Sequence, residues 1–234
     1  MGAIMKRELG SYFHSATGYI VLGVFTFFSG MFFYFYCLYA DSSSMTYVFS
    51  NMLMIVLFLV PIITMKSFSE EKRQKTDQAL LTAPVSLTGI VMGKFFGAFL
   101  LYAICNSVFL LYAFIIMLFT TPDWAVILCT VLGMLLMGAA LIAIGIFISA
   151  MTESQVIAAV LSIGAGLLIY MIDSLANLVG VDFITNILNA ISFNRNFSNF
   201  TYGVLDLANT VFFLSITAVF LFLTVRVFEK RRWS

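Results

Sequence analysis

Charged residues are scarce in this chain. Only 10% of its 234 residues are Asp, Glu, Lys or Arg, whereas 62% are hydrophobic and 16% are aromatic. Ordinary soluble domains carry about 25% charged residues, because their surfaces need that charge to stay in water. The scarcity excludes an ordinary soluble domain and predicts an integral membrane protein.

Residues that build catalytic or metal centres are equally few. A single histidine, His14, is present, and it cannot form a metal site or a catalytic triad by itself. The three cysteines, Cys37, Cys105 and Cys129, lie inside apolar runs, where they are typical of small buried hydrophobic residues and not of disulfides or metal ligands. We therefore expect neither a metal ion nor another cofactor.

A phosphate-binding loop is also missing. Gly93 and Lys94 resemble the end of such a loop, but Thr88 stands where its first glycine belongs and Phe95 follows the lysine. The sequence thus contains no nucleotide-binding motif and no catalytic constellation. We expect a protein that is not an enzyme and whose energy, if it does work, comes from elsewhere.

Long apolar runs make up most of the chain. A helix needs about 20 apolar residues to cross the roughly 30 Å hydrocarbon core of a bilayer. Six segments meet this length: 18–40, 47–65, 90–119, 124–151, 155–173 and 207–228. Together with short loops they fill the chain, so the sequence predicts an all-α integral membrane fold with six transmembrane helices in one domain, residues 1–234.

The basic residues predict the orientation of these helices, because Lys and Arg near span ends mark the cytoplasmic side. Eleven of the 12 fall before the first span, between the second and third, or at the end of the sixth: Lys6, Arg7, Lys66, Lys72, Arg73, Lys75, Lys94, Arg226, Lys230, Arg231 and Arg232. The remaining one, Arg195, falls in an opposite-side loop. We expect both termini in the cytoplasm.

Two further segments are predicted to be helices that do not span. Residues 1–16 are too short and too charged to cross, and their apolar positions recur at helical spacing, so we expect an amphipathic interfacial helix, with a frayed tail as the alternative. In 180–203, one apolar face is formed by Phe183, Ile184, Ile187, Leu188 and Ile191. This pattern predicts an outer re-entrant helical segment.

The densest charge lies in residues 66–86, which hold four of the 12 basic and three of the 11 acidic residues. Ser67 followed by Glu70 fits a capping box, and Glu71 and Lys75 stand at the favourable i, i+4 spacing. The segment therefore predicts a cytoplasmic helix that begins at Ser67. A set of solvated charges that only anchors the chain is the alternative.

The second half of this segment is apolar. Leu80 and Leu81 give the predicted helix an apolar C-terminal end, and Pro84 ends the helix near Thr82 after about four turns. A plain charge anchor needs neither a cap nor an apolar tip. These features favour a surface that binds a partner.

Within the spans, ionisable residues are rare. Lys94 and Arg226 lie near span ends, where we expect them to reach the interface by snorkelling. Small residues are predicted to mark seams of close helix packing: Gly89, Gly93, Gly97, Gly138, Ala139, Ala143 and Gly145. Because no carboxylate stands deep in a span, the pattern argues against an ion-coupled pump.

Taken together, these features resemble the permeases of ABC-2 type transporters. The resemblance is carried by the basic N-terminal helix, the six spans, the sequence of residues 67–86 and the segment before the last span. Residues 67–86 and the closing stretches 203–207, 212–215 and 221–233 are most similar to the gliding-motility-type subgroup. The resemblance covers essentially the whole chain.

What this resemblance implies is a permease subunit in a bacterial inner or plasma membrane, most often of an exporter. Two permease subunits, identical or different, would form the pore, with two cytosolic ATP-binding subunits beneath them. Membrane lipid would surround the complex, and no nucleic acid would take part.

The resemblance also implies a site. The loop after span 2 would be the main coupling helix, and the turn 150–155 with Glu153 would be a smaller second element. The implied partner-binding residues are Ser67, Phe68, Glu70, Glu71, Arg73, Lys75, Thr76, Leu80, Leu81, Pro84 and Glu153. Among them the leucines would fill a groove of the ATP-binding subunit.

Two other classes of function stay open at this point. The first is a membrane scaffold or immunity protein whose charged loop binds another partner. The second is a membrane-embedded enzyme, which the absence of a catalytic constellation disfavours.

Overall fold

The computed structural model describes residues 2–76, 86–179, 185 and 190–233. Its helices are α1 (Gly2–His14), α2 (Ala16–Phe33), α3 (Thr46–Thr64), α4 (Ser69–Arg73), α5 (Leu87–Asn106), α6 (Val108–Met117), α7 (Trp124–Met151), α8 (Gln155–Val179), α9 (Phe193–Thr201) and α10 (Leu207–Trp233). A π-helical turn, Tyr34–Tyr39, prolongs α2. No strand occurs in the described ranges, and the predicted all-α class is confirmed.

Six helical stretches within the described residues are long and apolar enough to cross a membrane. They are Ala16–Tyr39, Thr46–Arg73, Leu87–Met117, Trp124–Met151, Gln155–Ile172 and Leu207–Lys230. The six predicted spans are therefore confirmed as candidate transmembrane helices. The third is made of α5 and α6, which meet at Ser107, where the serine hydroxyl donates to the Ile104 carbonyl (2.6 Å) and loosens the helix.

Helix α7 lies at the centre of the bundle, in contact with α3, α5, α8, α9 and α10. In its candidate span 67% of residues are buried, against 17% in that of α8. A Cβ at Gly138 would overlap the Tyr102 ring, and one at Gly145 would overlap the Thr64 side chain. The packing seam predicted at these two glycines is confirmed, because only a residue without a side chain admits such an approach.

Helix α1 lies along α5. A Cβ on Gly97 would stand 2.7 Å from the Cβ of Glu8, so the missing side chain sets how closely the two helices approach. The Tyr12 hydroxyl, on the same helix, donates to the Ile63 carbonyl of α3 (2.9 Å). A helix thus exists over Gly2–His14 as predicted from residues 1–16, and its location at a membrane interface stays a prediction.

At the far end of the bundle, α9 packs one face on α7. Ser192 caps this helix by accepting from the Arg195 N–H (3.0 Å), and the Thr130 hydroxyl of α7 donates to the Phe200 carbonyl (3.0 Å). Of the predicted re-entrant segment 180–203, residues 180–184 and 186–189 lie outside the described residues. Ile191, predicted to belong to its apolar face, is 48% exposed. The re-entrant path stays a prediction.

The opposite end, which we call the basic end, gathers the predicted cytoplasmic ends of the spans. Residues 65–76, which we call the charged segment, contact α5 at Lys94, the last turn of α7, helix α8 and the last turns of α10. The rings of Phe68 and Phe228, for example, lie 4.6 Å apart. Lys66 reaches the start of α2, where its ammonium group donates to the Thr17 hydroxyl (3.0 Å).

Candidate functional site

The charged segment starts with a helix whose cap comes from another part of the chain. Helix α4 begins at Ser69, and the Ser149 hydroxyl of α7 accepts from the N–H groups of Phe68 (3.0 Å) and Ser69 (3.1 Å). The capping box predicted for Ser67 and Glu70 is therefore wrong. Because Ser149 satisfies these free amides, Ser67 is not needed as a cap and is buried instead.

The same helix ends after five residues. Thr76 N–H donates to the Glu71 carbonyl (3.0 Å), and Lys75 N–H donates to the Lys72 carbonyl (3.1 Å). With Lys75 at a φ of 56°, these bonds form a Schellman motif, which terminates a helix. The predicted uninterrupted helix of four turns is wrong over this stretch, and the Glu71–Lys75 spacing is no longer helical.

Lys94 is the hub of the basic end. Its ammonium nitrogen donates to Glu8 Oε1 (2.9 Å), to Glu71 Oε1 (2.8 Å) and to the Ser67 carbonyl (2.7 Å). It also lies 4.9 Å from the centre of the Phe68 ring. Its side chain is 3% exposed, so the predicted snorkelling of Lys94 is wrong. A buried ammonium group is tolerated because two carboxylates and a carbonyl replace water.

A second set of bonds ties the charged segment to α7. The Lys72 ammonium group donates to the Ala150 carbonyl, and the Ser149 hydroxyl donates to the Met65 carbonyl (3.2 Å). Ala150 lies in the last turn of α7, which ends at Met151, and is the first residue of the turn 150–155 as the resemblance defined it. The two elements that the resemblance singled out, the loop after span 2 and this turn, are therefore in direct contact.

A polar cavity of about 400 Å³ opens between α1 and the charged segment. Its lining includes Arg7, Lys66, Glu70, Gln74 and the two carboxylates that pair with Lys94. Tyr12 closes one side of it. Burial raises the pKa of the Tyr12 phenol above its ordinary value, and the neighbouring Glu8 carboxylate raises that pKa further, so the hydroxyl stays a hydrogen-bond donor to Ile63.

Comparison with known proteins identifies the bundle. A sequence model of the family described as ABC-2 family transporter protein matches residues 38–227. The chain belongs to this family. No curated protein matches the chain. As an ABC-2 family transporter protein, it is a multi-pass membrane protein and a permease subunit of an ABC transporter, and permeases of this family generally work with a cytosolic ATP-binding subunit.

The predicted partner-binding residues of this permease occupy different environments. Arg73, Lys75, Thr76 and Glu153 are exposed at the basic end. Glu70 is half-buried and accepts from the Gln74 amide (3.3 Å). Leu80, Leu81 and Pro84 lie in 77–85, outside the described residues.

Three other predicted site residues face inward in the permease. Ser67 and Phe68 are 4% and 3% exposed, and Glu71 pairs with Lys94. These three hold the charged segment on the bundle. Whether a partner contacts the exposed residues stays a prediction.

Sequence reasoning did not find Glu8, Lys94 or Ser149 as parts of this site. Lys94 gave no clear signal, because it stands four residues inside the predicted span 90–119, close enough to the end for a lysine to reach the interface. Glu8 is an acidic residue in an otherwise basic N-terminal helix. Nothing in the sequence pointed to Ser149 either, since a serine in an apolar helix ordinarily donates a hydrogen bond to the backbone of its own helix. Among the described residues no group of three His, Cys, Asp or Glu is placed to hold a metal ion.

Proposed function

We propose that this permease is driven by ATP hydrolysis in a separate cytosolic ATP-binding subunit and that the basic end is where that subunit docks. Two permease subunits and two ATP-binding subunits would form the complex in a bacterial inner or plasma membrane, with both termini in the cytoplasm. The family match supports the class of protein. The grouping of the basic residues at one end of the bundle supports the orientation.

The observation that carries the docking proposal is the contact between the two candidate coupling elements. Lys72 bonds Ala150 and Ser149 caps α4, so the charged segment is held against the last turn of α7, which leads directly into the turn 150–155. Both elements present exposed charge there, Arg73 and Lys75 on one and Glu153 on the other. A partner seated on this surface would touch both elements at once.

Within this proposal the site residues have two roles. Arg73, Lys75, Thr76 and Glu153 would make polar contacts with the ATP-binding subunit, Glu70 lies beside them, and Leu80, Leu81 and Pro84 would supply apolar contacts to a groove of that subunit. Ser67, Phe68 and Glu71 hold the segment in position from below. The spans carry few charges, which favours export of a lipid-like, peptide or other amphiphilic substrate.

The experiment that tests docking uses the permease co-expressed with an ABC-type ATP-binding subunit from the same organism. We expect the unaltered proteins to co-purify and to hydrolyse ATP after reconstitution into liposomes. Arg73→Glu combined with Glu153→Lys reverses two exposed charges and abolishes both properties. Leu80→Glu and Leu81→Glu have the same effect.

The matched control is Ser43→Glu, which adds a charge at an exposed position of the opposite end. It leaves co-purification and ATP turnover unchanged. Retained assembly and ATP turnover in the basic-end variants would contradict the docking surface. A permease that never changes the ATP turnover of the subunit would support a scaffold or immunity protein instead.

A further inference from the structure

We propose that Lys94 is the positioning residue for coupling: it joins α1, the charged segment and α5 into one body, so that a partner that displaces the segment also moves the third span. The inference rests on the proposed function, which supplies the displacing partner. The bonds themselves belong to the permease alone. They can be tested without a partner.

The first argument is the saturation of the ammonium group. Lys94 donates to three acceptors that come from two separate elements: Glu8 on α1, and Glu71 and the Ser67 carbonyl on the charged segment. An ammonium group has three N–H donors, so all of them are used within the protein. Lys94 itself belongs to α5, and the three elements therefore meet at one atom.

The second argument is charge balance. Glu8 and Glu71 are 15% and 16% exposed, and both point at the same ammonium group. Without it, two partly buried carboxylates would face each other with no cation between them. Like charges at short range repel, so α1 and the charged segment would separate.

The third argument is the opposite flank of the charged segment. Lys72 and Ser149 attach it to the last turn of α7, while Lys94 attaches it to α5. The segment thus bridges the basic ends of the third and fourth spans. A push on the segment reaches α5 through Lys94 and α7 through the other two residues.

The Tyr12 bond makes the proposal testable in a folded protein. Its hydroxyl holds α1 on α3 through the Ile63 carbonyl, independently of Lys94. Replacing Lys94 by methionine keeps an unbranched side chain of similar length in the buried site. We therefore expect Lys94→Met to release the charged segment from α1 and α5, while Tyr12 keeps α1 on α3 and Lys72 and Ser149 keep the other flank of the segment on α7.

The first experiment measures this release in the permease alone. Spin labels at Ser11 and Gln74, which line the cavity from opposite sides, are placed in a background where the three native cysteines are alanine. We expect one narrow distance distribution in the parent and a broad one in Lys94→Met. The matched control is Lys66→Met, a cavity lysine bonded to the Thr17 hydroxyl, which keeps the narrow distribution.

A second variant covers failure to fold. If Lys94→Met does not give a monodisperse preparation, Glu71→Gln removes the ion pair with the charged segment and leaves the pair with Glu8. It also broadens the distribution between Ser11 and Gln74. A distance distribution between Ser11 and Gln74 that stays narrow in both variants would contradict the proposal that Lys94 holds the charged segment to α1 and α5.

The second experiment measures transmission in the complex with the ATP-binding subunit. Spin labels at Leu118 and Tyr202, which are 80% and 73% exposed at the far end, report the distance change on trapping with ATP and vanadate. Lys94→Met retains co-purification and loses this change. A retained change would contradict the coupling role. An unaltered permease that binds no ATP-binding subunit would contradict the proposed function, and the coupling role with it, whereas the measurement between Ser11 and Gln74 still decides whether Lys94 forms the tie.

Discussion

At the basic end, side chains bond across long stretches of sequence: Lys94 reaches Glu8, 86 residues away, and Lys72 reaches Ala150, 78 residues away. At the opposite end most side-chain bonds are local, as when Asp123 accepts from the Val126 N–H, three residues on. Bonds between distant elements make those elements move together, whereas local caps only finish individual helices. The difference is the basis for our proposal that the basic end moves as a unit.

The largest expected effect is that of Lys94→Met on stability. It leaves two partly buried carboxylates without their cation, at a cost of about 3 kcal/mol, the lower part of the range for breaking a buried ion pair. Thr130→Val at the opposite end loses the bond to the Phe200 carbonyl and costs about 1 kcal/mol. Melting temperatures in detergent check the order. Equal decreases in melting temperature in the two variants would contradict the difference between the two ends.

A smaller effect comes from adding one methyl group at a tight helix contact. Gly97→Ala meets Glu8 and pushes α1 away from α5, and Gly133→Ala meets Phe200 and pushes α9 away from α7. Each costs about 1–3 kcal/mol. Only Gly97→Ala lowers ATP turnover in the complex, if the two ends differ as we infer. The control, Gly23→Ala, has nothing within 4 Å and raises stability by about 0.5–1 kcal/mol.

Ser149→Ala removes a single hydroxyl from the basic end. The N–H groups of Phe68 and Ser69 then lose their acceptor, which costs about 2 kcal/mol because both are buried. Ser198→Ala, which removes an exposed hydroxyl bonded to the Arg195 carbonyl, stays within about 0.5 kcal/mol. Thermal melts of both variants provide the measurement. A melting temperature unchanged in Ser149→Ala would show that α4 is capped by other means.

The smallest effect has the opposite sign. Lys75 and Asp41 have φ values of 56° and 53°, a region that costs a side-chain-bearing residue about 1 kcal/mol and glycine little. Lys75→Gly therefore stabilises the protein, and more than Asp41→Gly, because aspartate tolerates this region better than lysine. If Lys75 contacts the ATP-binding subunit, its variant loses ATP turnover while it gains stability. Asp41→Gly changes only the melting temperature.

Much of the fold was predictable because hydropathy acts locally. Each span is recognisable in the sequence as a run of about 20 apolar residues, and the six candidate transmembrane helices of the structure coincide with these runs. Gly138 and Gly145 were predictable as close contacts for a similar reason, since a small residue in a span has few other uses. These features depend on residue type and position along one helix.

The site was less predictable because its bonds join distant elements. The serine and glutamate spacing at Ser67 and Glu70 satisfied a local rule, yet Ser149, more than 80 residues later in the chain, provides the cap. Lys94 has the spacing of a lysine that reaches the interface, and its burial depends on where Glu8 and Glu71 meet it. The spacing of residues along one helix carries no information about contacts with distant parts of the chain.

The sequence by itself determined that this chain is a helical membrane protein, how many spans it has and where its charge gathers, because composition and periodicity act over one helix at a time. The tertiary structure alone decided which charges are buried, which residue caps α4 and which helices the charged segment joins. Those outcomes depend on the three-dimensional packing of α1, α5 and α7. The sequence shows a lysine at position 94 whether its ammonium group is exposed to water or buried with three hydrogen bonds.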